Sequence, residues 1–192
     1  MVLMATNDLR QQVFEFEFLP ELDALYGFAF HLTYDVVEAE DLVQDTIERA
    51  IKAIDQYRQD TNAKAWLFKI MRNHFINGYR KKSRRPAMID CEDVQIADTS
   101  YDENIPSLLD WTDESLGNIV GDELSAAISR LSNDFRMVIL LSDLQDFKYN
   151  EIAEILEVPV GTVRSRLFRA RNLLAKDLKD YAENNGFVNN RK

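Results

Sequence analysis

Between Arg84 and Gly121 the chain reads RRPAMIDCEDVQIADTSYDENIPSLLDWTDESLGNIVG, with no sustained helical or strand period. Residues 87–123 hold 11 acidic side chains and no basic one. An aperiodic connection of about 35 residues does not fit inside one compact domain. The chain is therefore expected to form two small domains, 1–86 and 122–192, on an acidic linker at 87–121. Arg85-Pro86 marks the end of the first domain, because the residue before a proline is pushed out of the α region. A short helical piece is expected near Leu108–Trp111.

Both flanking segments carry helical periodicity. In ELDALYGFAFHLT, Leu22, Leu25, Phe28, Ala29 and Leu32 recur at helical spacing. In DVVEAEDLVQDTIERAIKAI, Asp35 and Glu38 are placed as a capping box. Val36, Ala39, Leu42, Val43, Ile47, Ala50 and Ile54 follow as an apolar stripe, opposite Glu40, Asp41, Asp45 and Glu48. The polar loop DQYRQDTN leads to a third helix over 63–81. Beyond the linker, DELSAAISRL, NDFRMVILLSDLQ, YNEIAEILE and GTVRSRLFRARNLLAKDLKDYAE predict four more helices. Gly and Pro are scarce, at 6 and 4, which disfavours a turn-rich sandwich. The fold class is all-α, with two small helical domains.

Several function classes lose support at once. No apolar run approaches the roughly 18 residues of a membrane span. MVLMATNDLRQQ lacks the charged start, apolar stretch and cleavage site of a secretion signal. Cys91 is alone, and His31 and His74 are far apart, so neither a disulfide nor a metal site is expected. No phosphate loop or nucleophile–base pair stands out, and the expectation is no enzyme and no cofactor. The expected setting is the reducing cytoplasm.

Charge is segregated along the chain. Residues 1–60 hold 4 basic and 13 acidic side chains, while residues 61–86 hold 8 basic and none acidic. The net charge of −10 opposes indiscriminate nucleic-acid binding. Separate surfaces with separate partners are expected.

YNEIAEILEVPVGTVRSRLFRARNLL has the grammar of a helix-turn-helix, with Val158-Pro159 as its turn. Its second helix is expected to begin near Gly161-Thr162, with Thr162 helping to satisfy the free amides at that end. Val163, Leu167, Ala170 and Leu174 should face the core. Arg164, Ser165, Phe168 and Arg169 should face outward, where a recognition helix meets base edges in the major groove. Arg suits guanine and Phe a thymine methyl. Arg166 and Arg171 lie off that face and suit phosphates.

In AKAWLFKIMRNHFINGYRKKSRR, Trp66, Ile70, Asn73 and Asn77 share a face, while Leu67, Met71 and Phe75 can serve the core. Lys64, Lys69, Arg72 and Arg80 are among its cations. Rings that stack, amides that read edges and cations that track phosphates suit unpaired bases. On spacing alone, the same stripe also reads as ordinary core.

These segments, in this order, resemble the sigma-70 family of bacterial transcription initiation factors, in particular its extracytoplasmic-function group. DLVQDTIERAIKAI is similar to the helix that grips the clamp of RNA polymerase, WLFKIMRNHFINGYRKKSRR to the segment that melts and reads the −10 element, and the region from Leu131 to Leu174 to the domain that reads the −35 element. The resemblance implies core RNA polymerase and promoter DNA as partners, duplex at −35 and melted at −10. It gives Thr162, Arg164, Ser165, Phe168 and Arg169 to the −35 duplex, with Arg166 near its backbone. It gives Ala53, Tyr57, Ile70 and Asn73, with Asn77 nearby, to a pocket for a flipped base. Loop residues from Arg58 to Lys64, including Asn62, would set its preference, and Trp66, Lys69, Arg72 and Arg80 would line the same DNA path. Asp41, Leu42, Gln44, Asp45 and Glu48 would face polymerase. Ser142 stands where some relatives place Arg.

The resemblance also implies an anti-sigma regulator. The acidic linker would either mimic nucleic acid in the polymerase or serve as a solvated tether. Two rival readings are an ordinary helix-turn-helix regulator and a sigma-mimicking protein that titrates an anti-sigma factor. The first leaves the basic N-terminal helix unexplained, and the second has no need of the DNA-reading arginines.

Overall fold

A computed structural model describes residues 9–59, 61–83 and 121–184. The acidic linker expected at 87–121, with Cys91 and the piece near Leu108–Trp111, lies outside the described residues except for Gly121. Among the described residues every regular element is helical. The chain divides into two compact units, Met1–Ala29 with Val37–Glu103 and Phe30–Val36 with Asn104–Lys192.

The first unit opens with an arm that helical spacing did not predict. Residues 9–13 are α-helical, Phe14–Phe18 form a π-helical turn, and Leu19–Glu21 a 3-10 turn. The Leu19 N–H donates to the Phe14 carbonyl, the five-residue step of a π-turn. Val13 and Phe18, also five apart, are 6% and 0% exposed. That interval escapes a search for residues three or four apart.

Helix α1 (Leu22–Thr33) buries Leu25, Phe28, Ala29 and Leu32 and leaves Leu22 half-buried. Helix α2 (Val36–Lys52) buries Ala39, Leu42, Thr46 and Ala50. The expected stripe fails at its start, where Val36 is exposed, and Val43 and Ile47 are half-buried. Thr46 enters the core instead. Its hydroxyl donates to the Leu42 carbonyl at 2.7 Å, so the buried oxygen is satisfied within its own helix. A 3-10 turn, Ile54–Gln56, follows. Helix α3 (Ala63–Ser83) buries Leu67, Phe68 and Met71, with the Phe28 and Phe68 rings 5.0 Å apart. Phe75, expected in the core, is half-buried.

Besides Phe30–Val36, the second unit holds α4 (Gly121–Ser129), α5 (Asn133–Ile139) continuing as a π-helical turn (Leu140–Leu144), α6 (Tyr149–Leu156), α7 (Val160–Asp177) and α8 (Lys179–Asn184). The last helix was expected unbroken, and it is interrupted at Leu178. The run from Met137 to Leu141 is buried throughout and packs with Ile152, Ile155 and Leu156 of α6 and the inner face of α7. Such a core fixes α7 against the unit, since truncating a buried aliphatic side chain costs about 2–5 kcal/mol.

Candidate nucleic-acid interface

Helices α6 and α7 are built as a helix-turn-helix. Glu151 reaches back to accept the Lys148 N–H at 2.8 Å, closing the start of α6. Its end is turned by Glu157, which takes the left-handed conformation at φ 54°. The Val158 N–H then donates to the Ala153 carbonyl at 3.1 Å. Pro159 caps α7, its carbonyl accepting from Thr162 at 2.9 Å and Val163 at 3.2 Å. The helix thus starts at Val160, and Thr162 is no cap. Backbone geometry does that work, with no side-chain bond at the N-cap.

The two faces of α7 separate as its spacing predicts. Val163, Leu167, Ala170 and Leu174 are between 0% and 5% exposed. Arg164 and Arg169 are exposed, with no ion pair among the described residues. Thr162, Ser165 and Phe168 are half-buried, and the Ser165 hydroxyl donates to the Thr162 carbonyl at 3.0 Å.

The other two arginines have acid partners. Arg166 Nη2 pairs with Asp134 at the start of α5, with side-chain exposures of 25% and 60%. Arg171 donates from Nε to Asp143 Oδ2 at 3.2 Å and from Nη2 to Oδ1 at 2.6 Å. Arg171 Nη2 also lies 3.4 Å from Ser142 Oγ. Burial alone would lower the Arg171 pKa, but Asp143, with help from Tyr149, raises it overall. This corrects the expectation that Arg171 serves phosphate: its fork is already used to hold α7 to the π-helical turn that follows α5.

In the first unit, Tyr57, Trp66 and Phe18 form one aromatic cluster. The Phe18 ring stacks on Trp66 at 5.5 Å and meets Tyr57 edge-on at 5.3 Å, while Tyr57 and Trp66 are 5.1 Å apart. The Tyr57 hydroxyl donates to Glu17 on the arm. Burial, then this bond, pushes the phenol pKa up. Ala53, Ile70 and Asn73 are half-buried, and Asn77 and Arg58 are exposed. Asn73 Oδ1 accepts from Arg72 Nη1 at 2.7 Å. Asn62 is committed to structure: its Oδ1 accepts the Ala65 N–H at 2.9 Å and caps α3. Lys64 Nζ stands 5.9 Å over the Phe68 ring. Lys69 is half-buried, and Arg80 lies within α3 with its side chain outside the described set. Trp66, expected on a ligand face, therefore packs largely against neighbours.

On α2, Asp41, Gln44 and Glu48 are exposed, and Asp45 is partly covered by His74, whose Nε2 lies 2.8 Å from its carboxylate. Lys52 pairs with Glu48 through a hydrogen bond that holds the Glu48 carboxyl below its ordinary range. Leu42 is 6% exposed, which places it in the core rather than at a polymerase contact. Sequence reasoning missed Glu17, Phe18, Asp134 and Asp143. For Asp143 a signal existed, an acid ending the apolar run VILLSDL.

Two segments of the chain match known families. Residues 18–85 match the family model of sigma-70 region 2, and residues 121–174 match that of sigma-70 region 4. The ECF RNA polymerase sigma factor EcfG of Rhodopseudomonas palustris is 35% identical, over 88% of this chain and 84% of its own. The RNA polymerase sigma-H factor of Pseudomonas aeruginosa is 31% identical, over 81% and 80%. The sigma factor RpoE of Bartonella quintana, solved in complex with the anti-sigma factor NepR, has a TM-score of 0.66 at 35% identity, over 88% of this chain and 98% of that one. Two helical domains of the right kind, one carrying a helix-turn-helix with exposed arginines, and relatives that cover most of its length lead to one conclusion: the chain belongs to the sigma-70 family, among the ECF RNA polymerase sigma factors.

Proposed function

We propose that this sigma factor joins core RNA polymerase and reads a promoter at two places, domain 122–192 taking the −35 duplex and domain 1–86 the melted −10 strand. The observation that carries the reading is α7 itself. Its inner face is buried to within a few per cent while Arg164 and Arg169 project from the outer one. A fixed helix presenting two cations and Phe168 suits the major groove, with Arg placed for guanine edges. Arg166 takes a backbone phosphate by exchanging the exposed Asp134 carboxylate for it, a swap that costs little at a surface pair.

At the −10 element, Ala53, Tyr57, Ile70 and Asn73 receive an extruded base. The Arg72 bond to Asn73 Oδ1 leaves the amide nitrogen free to donate to a base acceptor. Capture of the base offsets part of the few kcal/mol that unstacking costs. Arg58 and Lys64 flank the path, and Lys69, Arg72, Asn77 and Arg80 follow the strand. Asp41, Gln44, Asp45 and Glu48 present α2 to polymerase. The chain makes no covalent bond itself, and nucleotide addition belongs to the polymerase. It works in the cytoplasm; no helix among the described residues is long and apolar enough to cross a membrane.

The net charge of −10 keeps the free protein off DNA, since phosphate contacts dominate non-specific affinity. The solved relative in complex with an anti-sigma factor supports a protein regulator that holds this chain inactive. Binding of holoenzyme to duplexes with every single substitution across the −35 element tests the reading. Arg164→Ala should flatten the preference at one or two adjacent base pairs. An unchanged preference profile removes α7 from the site.

A further inference from the structure

The arm at 9–21 has no part in the reading above, yet it is bound to the region assigned to base capture. Glu17 accepts the Tyr57 hydroxyl proton. The arm is thus tied to Tyr57, which leads directly into the loop at 58–64, whose own turn is held by Thr61 Oγ1 donating to the Arg58 carbonyl at 2.6 Å. Phe18, the next residue, is fully buried and touches both Tyr57 and Trp66. A second tie runs alongside: Arg10 Nε donates to Asp55 Oδ1 at 3.0 Å, and Nη2 bonds the other carboxylate oxygen. Asp55 sits in the 3-10 turn that places Tyr57 four residues after Ala53.

The π-helical turn has a geometric consequence. Its extra residue per turn shifts everything after it relative to an α-helix. Phe18 lands in the aromatic cluster while the adjacent Glu17 reaches the tyrosyl oxygen. Beyond this point the arm and the loop separate around an open groove of about 460 Å³ between Phe16, Glu17, Pro20 and Glu21 on one side and Thr61 to Lys64 on the other. Glu17 borders that space, so truncating it leaves no sealed cavity.

We propose that Glu17 is a positioning residue for −10 base recognition: through the Tyr57 hydroxyl it fixes the ring that walls the base pocket and braces the loop that sets base preference. The inference rests on the assignment of Tyr57 and that loop to the −10 element. Glu17 touches no base in this account. It acts by restricting where Tyr57 and the loop can go, so its loss should blur discrimination between bases more than it weakens binding overall.

The test uses holoenzyme assembled from core polymerase and the full chain. The probe is a single-stranded −10 oligonucleotide set carrying each of the four bases at each position. Losing one hydrogen bond worth about 1 kcal/mol predicts that Glu17→Ala lowers the best-to-worst base ratio at one position by about fivefold. Tyr57→Phe should do the same, and the double variant should be no worse than either single one. Glu17→Gln, which keeps an acceptor for the tyrosyl proton, should stay within about twofold of the parent. Affinity for core polymerase and for the −35 duplex should not change. Discrimination equal to the parent in Glu17→Ala, equal loss in Glu17→Gln, or losses that multiply in the double variant would each overturn the positioning role alone. A parent holoenzyme with no base preference at any −10 position would overturn both this inference and the reading beneath it.

Discussion

Arg166 and Arg171 lie five residues apart on one helix, each paired with an aspartate, yet their removal should have very different effects. The Arg171–Asp143 pair has side-chain exposures of 12% and 6% and two hydrogen bonds. The Arg166–Asp134 pair is exposed to 25% and 60%. Arg171→Met leaves the Asp143 carboxylate buried without its cation, and breaking a buried pair this way costs about 3–5 kcal/mol. Arg166→Ala frees an aspartate that water already reaches, and such pairs are worth about 0–1 kcal/mol. Hydrogen exchange of amides in Val163 to Ala170 reads the difference locally, without assuming that the two units melt together. At 1.36 kcal/mol per tenfold, a loss near 4 kcal/mol accelerates exchange by about a thousandfold in Arg171→Met. Arg166→Ala should stay within about fivefold of the parent. Replacing the whole pair, as Asp143→Leu with Arg171→Met, should recover most of the protection, because no charge is left stranded. Equal exchange rates in the two single variants, or a double variant worse than Arg171→Met, would refute the assignment of Arg171 to structure.

Four further outcomes follow from the geometry. Phe18→Ala should cost about 3–5 kcal/mol and shift the emission of Trp66, on which Phe18 stacks; urea titration followed by fluorescence checks both. Glu157→Gly should stabilise the second unit by up to about 1 kcal/mol, because glycine takes φ 54° without the penalty an L side chain incurs; thermal melts of the two proteins decide it. Asp41→Ala and Gln44→Ala should weaken polymerase binding with the melting temperature unchanged, whereas Leu42→Ala should lower the melting temperature by way of the core. Burial lowers the His31 pKa from its ordinary 6.5, so the unfolded chain takes up a proton more readily than the folded one. That stabilising contribution is complete above pH 6.5 and is lost as pH falls towards the depressed value; His31→Phe should flatten the fall in stability on acidification.

The outer and inner faces of α7 were legible because both follow from one helical period, and Val163, Leu167, Ala170 and Leu174 fall inside as that period requires. The turn was legible from Val158-Pro159, but Glu157 was not, since nothing about a glutamate signals a left-handed backbone. The partners of Arg166 and Arg171 lie 32 and 28 residues away, beyond the reach of local spacing. Counting acids near the arginines therefore made all four look available. The arm was missed for a different reason. Val13 and Phe18 are five apart, an interval that belongs to the π-turn, and FEFEF between them shows no α-helical face. In α2 the period was right, but Thr46 took a core place that polarity had denied it, by turning its hydroxyl onto the Leu42 carbonyl. Trp66 shows the remaining ambiguity of stripes. Its spacing fitted a ligand face, and packing with Phe18 and Tyr57 occupies much of the ring.

Two anchored helices, α3 and α7, are held to act on separate stretches of one promoter once the chain has docked on polymerase. The most direct test is run-off transcription from a randomised promoter library, using core polymerase freed of other specificity factors. With this chain added, selected templates should share two sequence blocks, and Arg164→Ala should erode the upstream block while Asn73→Ala erodes the downstream one. Transcripts that arise without any common upstream and downstream sequence, or no transcripts despite stable binding of the chain to core polymerase, would contradict it.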